Sequence, residues 1–306
     1  TNWGDWGDEY ITIYPDQIAI REQILHSHRF KQTWNNETWN MEGSYQFNES
    51  FVFSQPGDSP YQNIDSGGVT LANLNGDIRT YYLHPLPEDE EKWEEENWLK
   101  DATIKIINSK SENKSFNIFE EGSTVEPWID QEFYTWNHWP VAQLPSDGRF
   151  TKINDRPAHT ALSNGSPIWK SDGIKHTAVS IYGMNLMKMD ELIELSKSWN
   201  FPCDVSCSNE ALLNLGYDKY ERAHVFRNEE NITLDEIRFT FKATQDNPFN
   251  GGALIVENVN SNKFEISSVH DIRFTHAIEN KIEGDNLVIW IPHNSKSSFT
   301  INISEY

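Results

Sequence analysis

Apolar and polar residues alternate with a period of two along much of the chain, which indicates β-strands with one buried face. Residues 10–14 form one such run, and residues 18–24 form the next after a Pro15-Asp16 turn. Proline followed by aspartate favours a turn, so these runs predict a hairpin. Asn75-Gly76 separates the runs at 69–74 and 78–83. This dipeptide favours the tight turn between antiparallel strands and predicts a second hairpin.

The same period predicts many further short strands, and one stretch has helical spacing instead. The strands are expected over residues 45–53, 102–107, 115–119, 237–243, 253–259, 272–278, 287–291 and 299–303. A helix is expected over 188–199, where apolar residues fall near a 3.6-residue period and acidic residues stand in the first turn.

Short strands at regular spacing are typical of β-sandwiches. We therefore predict an all-β chain: a large antiparallel β-sandwich, supersandwich-like, with a second, smaller β-sandwich and few short helices. The expected division is residues 1–185, the main sandwich with the functional segment, and 186–306, a helix-linked C-terminal sandwich.

Two stretches do not follow the alternation. Residues 88–100 are highly charged and are interpreted as an exposed loop or short helix. Residues 122–171 contain five prolines and show no period, which predicts a long irregular segment. Long irregular segments in compact proteins tend to be functional.

The formal net charge of −22 restricts the partners of the protein. A nucleic acid or an anionic membrane surface requires clustered Lys and Arg, so neither is expected as a partner. No apolar run is long enough to span a membrane. The 39 aromatic residues suit both a packed core and stacking on sugar rings. The sequence leaves the oligomeric state open.

No cofactor or metal centre is predicted. Cys203 and Cys207 lack the CxxC spacing of a zinc ribbon and are expected to be ordinary thiols or one local disulfide. His26 and His28 share one face of a strand and could bind a metal together, but a solvated face explains them better. Residues 246–252 offer oxygen atoms to a structural Ca²⁺, although they fit turns better.

The irregular segment contains a dense set of polar and aromatic side chains between Glu132 and His159. Such a set matches what a polysaccharide lyase needs: a base for the proton next to a uronate carboxylate, an acid for the leaving oxygen, a group that neutralises the carboxylate, and sugar platforms. The predicted catalytic residues are Tyr134, His138, Arg149, Arg156 and His159, and the predicted substrate-binding residues are Trp136, Asn137, Trp139 and Gln143.

In this scheme His138 or His159 is the base and Tyr134 the acid, while Arg149 or Arg156 acts with Asn137 or Gln143 on the carboxylate. Three alternatives remain open. The segment also fits a rigid structural loop. It fits a glycoside hydrolase that uses Glu132 with Asp147 or Asp155, although nothing in their spacing pairs them. It also fits a non-catalytic carbohydrate-binding module of a larger enzyme.

Several runs resemble those of bacterial ulvan-lyase-like proteins, β-sandwich proteins of marine polysaccharide degradation. The similar runs are residues 14–23, 54–58, 70–73 with Gly76, 136–149, 221–225 and 246–250. The resemblance implies β-elimination on a uronate-containing, sulfated algal polysaccharide such as ulvan. It also implies a secreted, periplasmic or outer-surface protein, with no signal peptide in this sequence.

Overall fold

The protein is all-β, as the alternation predicts. The computed structural model describes residues 6–27, 31–35, 38–42, 50–52, 63–82, 98–127, 134–136, 158–161, 163–261, 263–269, 279–291 and 298–305. Within these residues the chain forms 24 strands and one α-helix. It divides into two compact units, Thr1–Ile193 and Glu194–Tyr306. No helix in the described residues is long and apolar enough to cross a membrane.

The first unit contains a large antiparallel sheet and three small ones. Its strands are β1 (Trp6–Ile13), β2 (Ile18–His26), β3 (Lys31–Asn35), β4 (Thr38–Glu42), β5 (Ser50–Val52), β6 (Ile64–Asn73), β7 (Ile78–Tyr81), β8 (Ala102–Ser109), β9 (Lys114–Phe119), β10 (Thr124–Pro127), β11 (Tyr134–Trp136), β12 (Ala158–Ala161), β13 (Ser163–Ser166), β14 (Lys170–Ser171) and β15 (Lys175–Asn185). The large sheet has the order β1-β2-β15-β9-β8-β6-β7, and β14 also pairs with β15. The small sheets are β10-β13, β11-β12-β5 and β3-β4.

Both predicted hairpins are confirmed. Between β1 and β2 the Tyr14 amide donates to the Ile18 carbonyl at 2.9 Å, and the Asp16 carboxylate accepts from the Ile18 amide at 3.2 Å. Between β6 and β7 the Asn73 side-chain oxygen accepts the Asn75 and Asp77 amides, each at 3.0 Å.

A row of isoleucines in register runs across the middle strands of the large sheet. Ile20, Ile181, Ile118 and Ile104 lie opposite one another on β2, β15, β9 and β8, and all four are buried. Because side chains alternate across a strand, the next residues along each strand point to the other face of the sheet.

The second unit is a β-sandwich of two sheets. Its strands are β16 (Asp204–Cys207), β17 (Leu212–Asp218), β18 (Ala223–Asn228), β19 (Ile237–Lys242), β20 (Gly252–Glu257), β21 (Phe264–Val269), β22 (Glu279–Glu283), β23 (Asn286–Ile291) and β24 (Phe299–Glu305). One sheet has the order β16-β19-β24-β21 and the other β17-β18-β20-β23-β22. All described pairs are antiparallel except β18 with β20.

The core of the second unit lies between its two sheets. Phe239 and Ile301 of the four-stranded sheet belong to one buried cluster with Phe226, Leu254 and Ile289 of the five-stranded sheet. This packing confirms the smaller sandwich. The last strand of the unit, β24, lies inside its sheet, between β19 and β21.

The predicted helix is confirmed as α1 (Met189–Asn200). Its first turn is closed by Glu191, whose carboxylate accepts the Lys188 amide at 2.8 Å. Asp190 and Glu191 also complement the positive end of the helix dipole.

One expectation was wrong in part. The stretch 122–171 is not uniformly irregular, because five short strands, β10 to β14, lie within it. Strands of two to four residues are too short to show a period of two, so the alternation could not reveal them. The predicted strand at 45–53 is described only as β5. Residues 88–97 and the predicted strand at 272–278 lie outside the described residues.

Candidate functional site

Two nested antiparallel pairs hold the ends of the segment that the sequence singles out. In the outer pair, β10 and β13, Pro127 lies opposite Ser163. In the inner pair, β11 and β12, Trp136 lies opposite His159. Pro127 and Ser163 therefore lie side by side at the two ends of the stretch of chain that contains β11 and β12.

The inner pair brings three of the predicted site residues to one ladder. Tyr134, Trp136 and His159 lie on β11 and β12, with Trp136 and His159 in direct register. Tyr134 is paired with Ala161, so it occupies the position diagonal to His159. Backbone positions on such a diagonal are roughly 7–8 Å apart.

The other predicted residues lie outside the described part of the chain. They are the catalytic candidates His138, Arg149 and Arg156, the substrate-binding candidates Asn137, Trp139 and Gln143, and the hydrolase candidates Glu132, Asp147 and Asp155. Residues 137–157 contain all of these candidates except Glu132. This stretch follows β11 and precedes β12, so both of its ends are joined to the inner ladder.

A third strand joins this ladder to neighbouring strands of the same unit. β5 pairs with β12, and Phe51 lies opposite His159. β5 also lies beside β8 and β9 of the large sheet. His159 is thus at the central strand of a three-stranded sheet, flanked by Trp136 and Phe51.

The large sheet has a buried polar row that sequence reasoning missed. Tyr182, Asn117 and Lys105 lie opposite one another on β15, β9 and β8. Lys105 and Asn117 are fully buried, and Tyr182 is 6% exposed. Lysine is rarely buried to this extent unless it is paired. Alternation assigns polar residues to a solvated face, so nothing in the sequence marks these positions as interior.

Arg21 extends the polar row towards the edge of the sheet. Its guanidinium donates two hydrogen bonds to the Glu9 carboxylate, at 2.6 and 2.8 Å, and another to the Tyr182 hydroxyl. Burial alone would lower the pKa of Arg21, but Tyr182 and Glu9 outweigh it and hold the pKa above its usual value. Arg21 is therefore a permanently charged, neutralised member of the row.

The strand β10, which precedes the candidate segment, lies on the face of the large sheet that carries this row. Leu71 lies opposite Lys105 in the register, so the two side chains share a face. Leu71 belongs to the same buried cluster as Val125 of β10. β10 consequently packs on the polar face of the sheet.

His26 and the loop at residues 246–252, which the sequence offered as metal ligands, form other contacts in the structure. His26 stacks on Trp6 with 4.7 Å between ring centroids, and its Nε2 lies 3.3 Å from the Asp8 carboxylate, while His28 lies outside the described residues. In residues 246–252 the Asn247 amide donates to the Thr244 hydroxyl, as in an ordinary turn, and the Asn250 amide donates to the Ser198 hydroxyl of α1. The described residues contain no group of three or more His, Cys, Asp or Glu side chains placed to hold a metal ion.

The buried titratable groups of the second unit are structural. Cys203 and Cys207 are free thiols, and burial raises the pKa of Cys203 to about 12, so its thiol is protonated and unreactive at neutral pH. His224 lies between the rings of Tyr217 and Phe241, with centroids at 5.0 and 5.5 Å, and burial lowers its pKa to about 4. A neutral imidazole packed between two aromatic rings is part of the core packing.

The class of this protein is stated from its own fold. No protein-family model matches the chain, and no curated protein matches it at a significant level. The fold is that of an all-β, sandwich-type protein.

Proposed function

We propose that this protein is a polysaccharide lyase that cleaves a uronate-containing polysaccharide of the sulfated algal, ulvan-like class by β-elimination. The observation that carries the proposal is the pairing of Trp136 with His159, with Tyr134 on the diagonal. A sugar platform, a base and an acid would then belong to one rigid ladder. Sites on paired strands hold catalytic groups more accurately than free loops do.

The ladder favours one assignment among those that the sequence leaves open. His159 and Tyr134 both have fixed backbone positions, at the diagonal spacing of roughly 7–8 Å. Backbone positions this close allow the two residues to act on neighbouring atoms of one sugar unit. We assign His159 as the base that takes the proton next to the carboxylate and Tyr134 as the acid that protonates the leaving oxygen.

Neutralisation of the uronate carboxylate is assigned to Arg149 or Arg156 with Asn137 or Gln143. Arginine binds carboxylates through two parallel hydrogen bonds, and a neutralised carboxylate makes the neighbouring proton more acidic. The chain has a net charge of −22, so these arginines must act at short range. The long-range field of the protein repels an anionic chain, and salt should reduce this repulsion.

The proposal is tested by incubating the protein with ulvan, alginate and glycosaminoglycans and following the absorbance of the unsaturated uronate product. We expect His159→Ala and Tyr134→Phe each to lower kcat at least 100-fold, because general acid–base catalysis contributes about 10²–10⁴-fold. His138→Ala, made in parallel, decides which histidine is the base. His26→Gln is the control, since His26 lies on β2 and packs on Trp6.

Each other outcome has a definite meaning. New reducing ends without the unsaturated product identify a hydrolase. Binding without turnover, lost in Trp136→Ala, identifies a carbohydrate-binding module. The lyase proposal fails if no uronate polymer is cleaved, or if both histidine variants retain full activity.

A further inference from the structure

One edge of the large sheet is unusually exposed. Every residue of β1 is exposed, although its neighbour β2 begins with four buried residues. Four large apolar side chains of β1, Trp6, Tyr10, Ile11 and Ile13, are between 47% and 75% exposed. By strand alternation they lie on both faces, Trp6 and Tyr10 on one and the isoleucines on the other.

β1 also lacks the usual protection of an edge strand. It is eight residues long, pairs with β2 without a bulge, and contains no Pro, Lys or Arg. Other edge strands differ: β17 is bulged between Asn214 and Gly216, and β7 has only four residues, including Arg79. Long, regular, apolar edges are templates for pairing with another strand. In the described part of the chain, no strand occupies this edge.

We propose that β1 is the interface of a homodimer, in which two copies pair antiparallel through β1 about a two-fold axis. The two copies would then form one continuous sheet. A two-fold axis perpendicular to the sheet leaves each face on the same side in both copies. Because directly opposed residues point to the same face, the axis must lie midway between one residue and the same residue of the other copy. An axis at Tyr10 and an axis at Glu9 each pair seven residues of β1, and with the axis at Tyr10 Gly7 lies opposite Ile13 and Glu9 opposite Ile11 of the other copy.

Charge selects this register over its neighbour. An axis one residue earlier would place Glu9 directly opposite Glu9 of the other copy, and like charges opposite each other destabilise a sheet. With the axis at Tyr10, Asp8 faces Thr12 and Glu9 faces Ile11.

The area available fits a reversible dimer. Aromatic side chains bury about 150–250 Å² each, so the exposed parts of Tyr10, Ile11 and Ile13 and the strand edge would bury at most roughly 1,000 Å² over both copies, the low end of specific interfaces. Two chains of net charge −22 repel each other. The dimer should therefore strengthen as salt shortens the Debye length from about 30 Å at 0.01 M to about 8 Å at 0.15 M.

Sedimentation velocity of the full chain over a concentration series tests the interface. We expect a monomer–dimer equilibrium that shifts towards dimer with salt. Tyr10→Lys places two ammonium groups opposite each other at the axis, and it should raise the dimer Kd at least about tenfold. Ile78→Lys, on the other edge of the sheet, is the matched control because Ile78 is also about half exposed, and it should leave the Kd unchanged.

Crosslinking tests the register. Tyr10→Cys should give a covalent dimer with a short bismaleimide, since directly opposed Cβ atoms are about 5 Å apart. Thr12→Cys should not, because the two Thr12 positions are four residues apart along the strands, about 13 Å. The natural chain, with its own two cysteines, is the background. A monomer at every concentration and salt, or a dimer that Tyr10→Lys leaves intact, would overturn the proposal, and an open polymer would indicate β1–β7 pairing instead.

Discussion

At the scale of single residues, His224 couples the stability of the second unit to pH. It is 5% exposed, and its pKa is about 4 in the folded chain against about 6.5 when unfolded. The unfolded chain therefore takes up a proton between these pH values and the folded chain does not. The free energy of unfolding should fall by up to about 3 kcal/mol as the pH drops from about 6.5 to about 4.

This contribution is measured by urea denaturation at several pH values, with a probe of the second unit such as Trp290 fluorescence. His224→Phe and His224→Gln both lack the titrating ring, so their stability should vary less over this pH window than that of the natural chain. Carboxylates contribute equally to all three proteins and cancel in the comparison. Parallel pH profiles would show that His224 is not the coupled group.

The positions of two single residues also explain why the sequence did not predict the buried polar row of the large sheet. Lys105 and Asn117 occupy the polar positions of alternating strands, which a two-residue period assigns to solvent. Both are buried because another layer covers that face, as the packing of Val125 with Leu71 shows. Whether a second layer exists is a tertiary property that the local pattern does not contain.

At the scale of elements, the pairing of β15 with β9 depends on a missing side chain. Gly183 lies opposite Phe116, and a methyl group at Gly183 would overlap the phenyl ring. Glycine in a strand is otherwise unfavourable by about 0.5–1 kcal/mol relative to alanine, so the ring must decide the outcome. We expect Gly183→Ala to destabilise the first unit by about 1–3 kcal/mol.

A double-mutant cycle separates this contact from general strand effects. Phe116→Leu removes the ring, and Gly183→Ala should then cost about 1 kcal/mol less than in the natural chain, or should stabilise it. Chemical denaturation of the four proteins gives the coupling. Additive costs would mean that the ring does not restrict position 183.

The start of α1 gives a second prediction at this scale. Glu191 caps the helix by accepting the Lys188 amide at 2.8 Å. Glu191→Ala should lower the free energy of unfolding by about 0.5–1 kcal/mol, and Glu191→Gln by less because the amide oxygen can still accept this bond. Urea denaturation followed by circular dichroism measures both. Equal losses would show that the charge, and not the hydrogen bond, stabilises the helix.

At the scale of the whole molecule, the sequence predicted the fold class and fewer than half of the described strands, seven of fifteen in the first unit and four of nine in the second. The turns at Pro15-Asp16 and Asn75-Gly76, the helix and the strands β19, β20, β23 and β24 follow from local patterns and agree with the structure. These features depend on residues close together in the chain. The strand orders did not follow from the sequence, because they join distant residues, such as Ile20 with Ile181.

The candidate site was predictable as an inventory and not as an arrangement. The residue types from Glu132 to His159 indicated lyase chemistry, but only the register shows that Trp136 and His159 are neighbours. They are 23 positions apart, and strands of three and four residues carry no readable period. The roles of these residues stay a proposal.

The position of β24 constrains how the second unit folds during synthesis. This strand is the last of the unit to leave the ribosome, yet it lies between β19 and β21. Until it emerges, β19 and β21 have no partner on that side, and the apolar residues that the sandwich will enclose stay open to water. Nascent chains paused before β24 are consequently the state in which this protein most needs a chaperone.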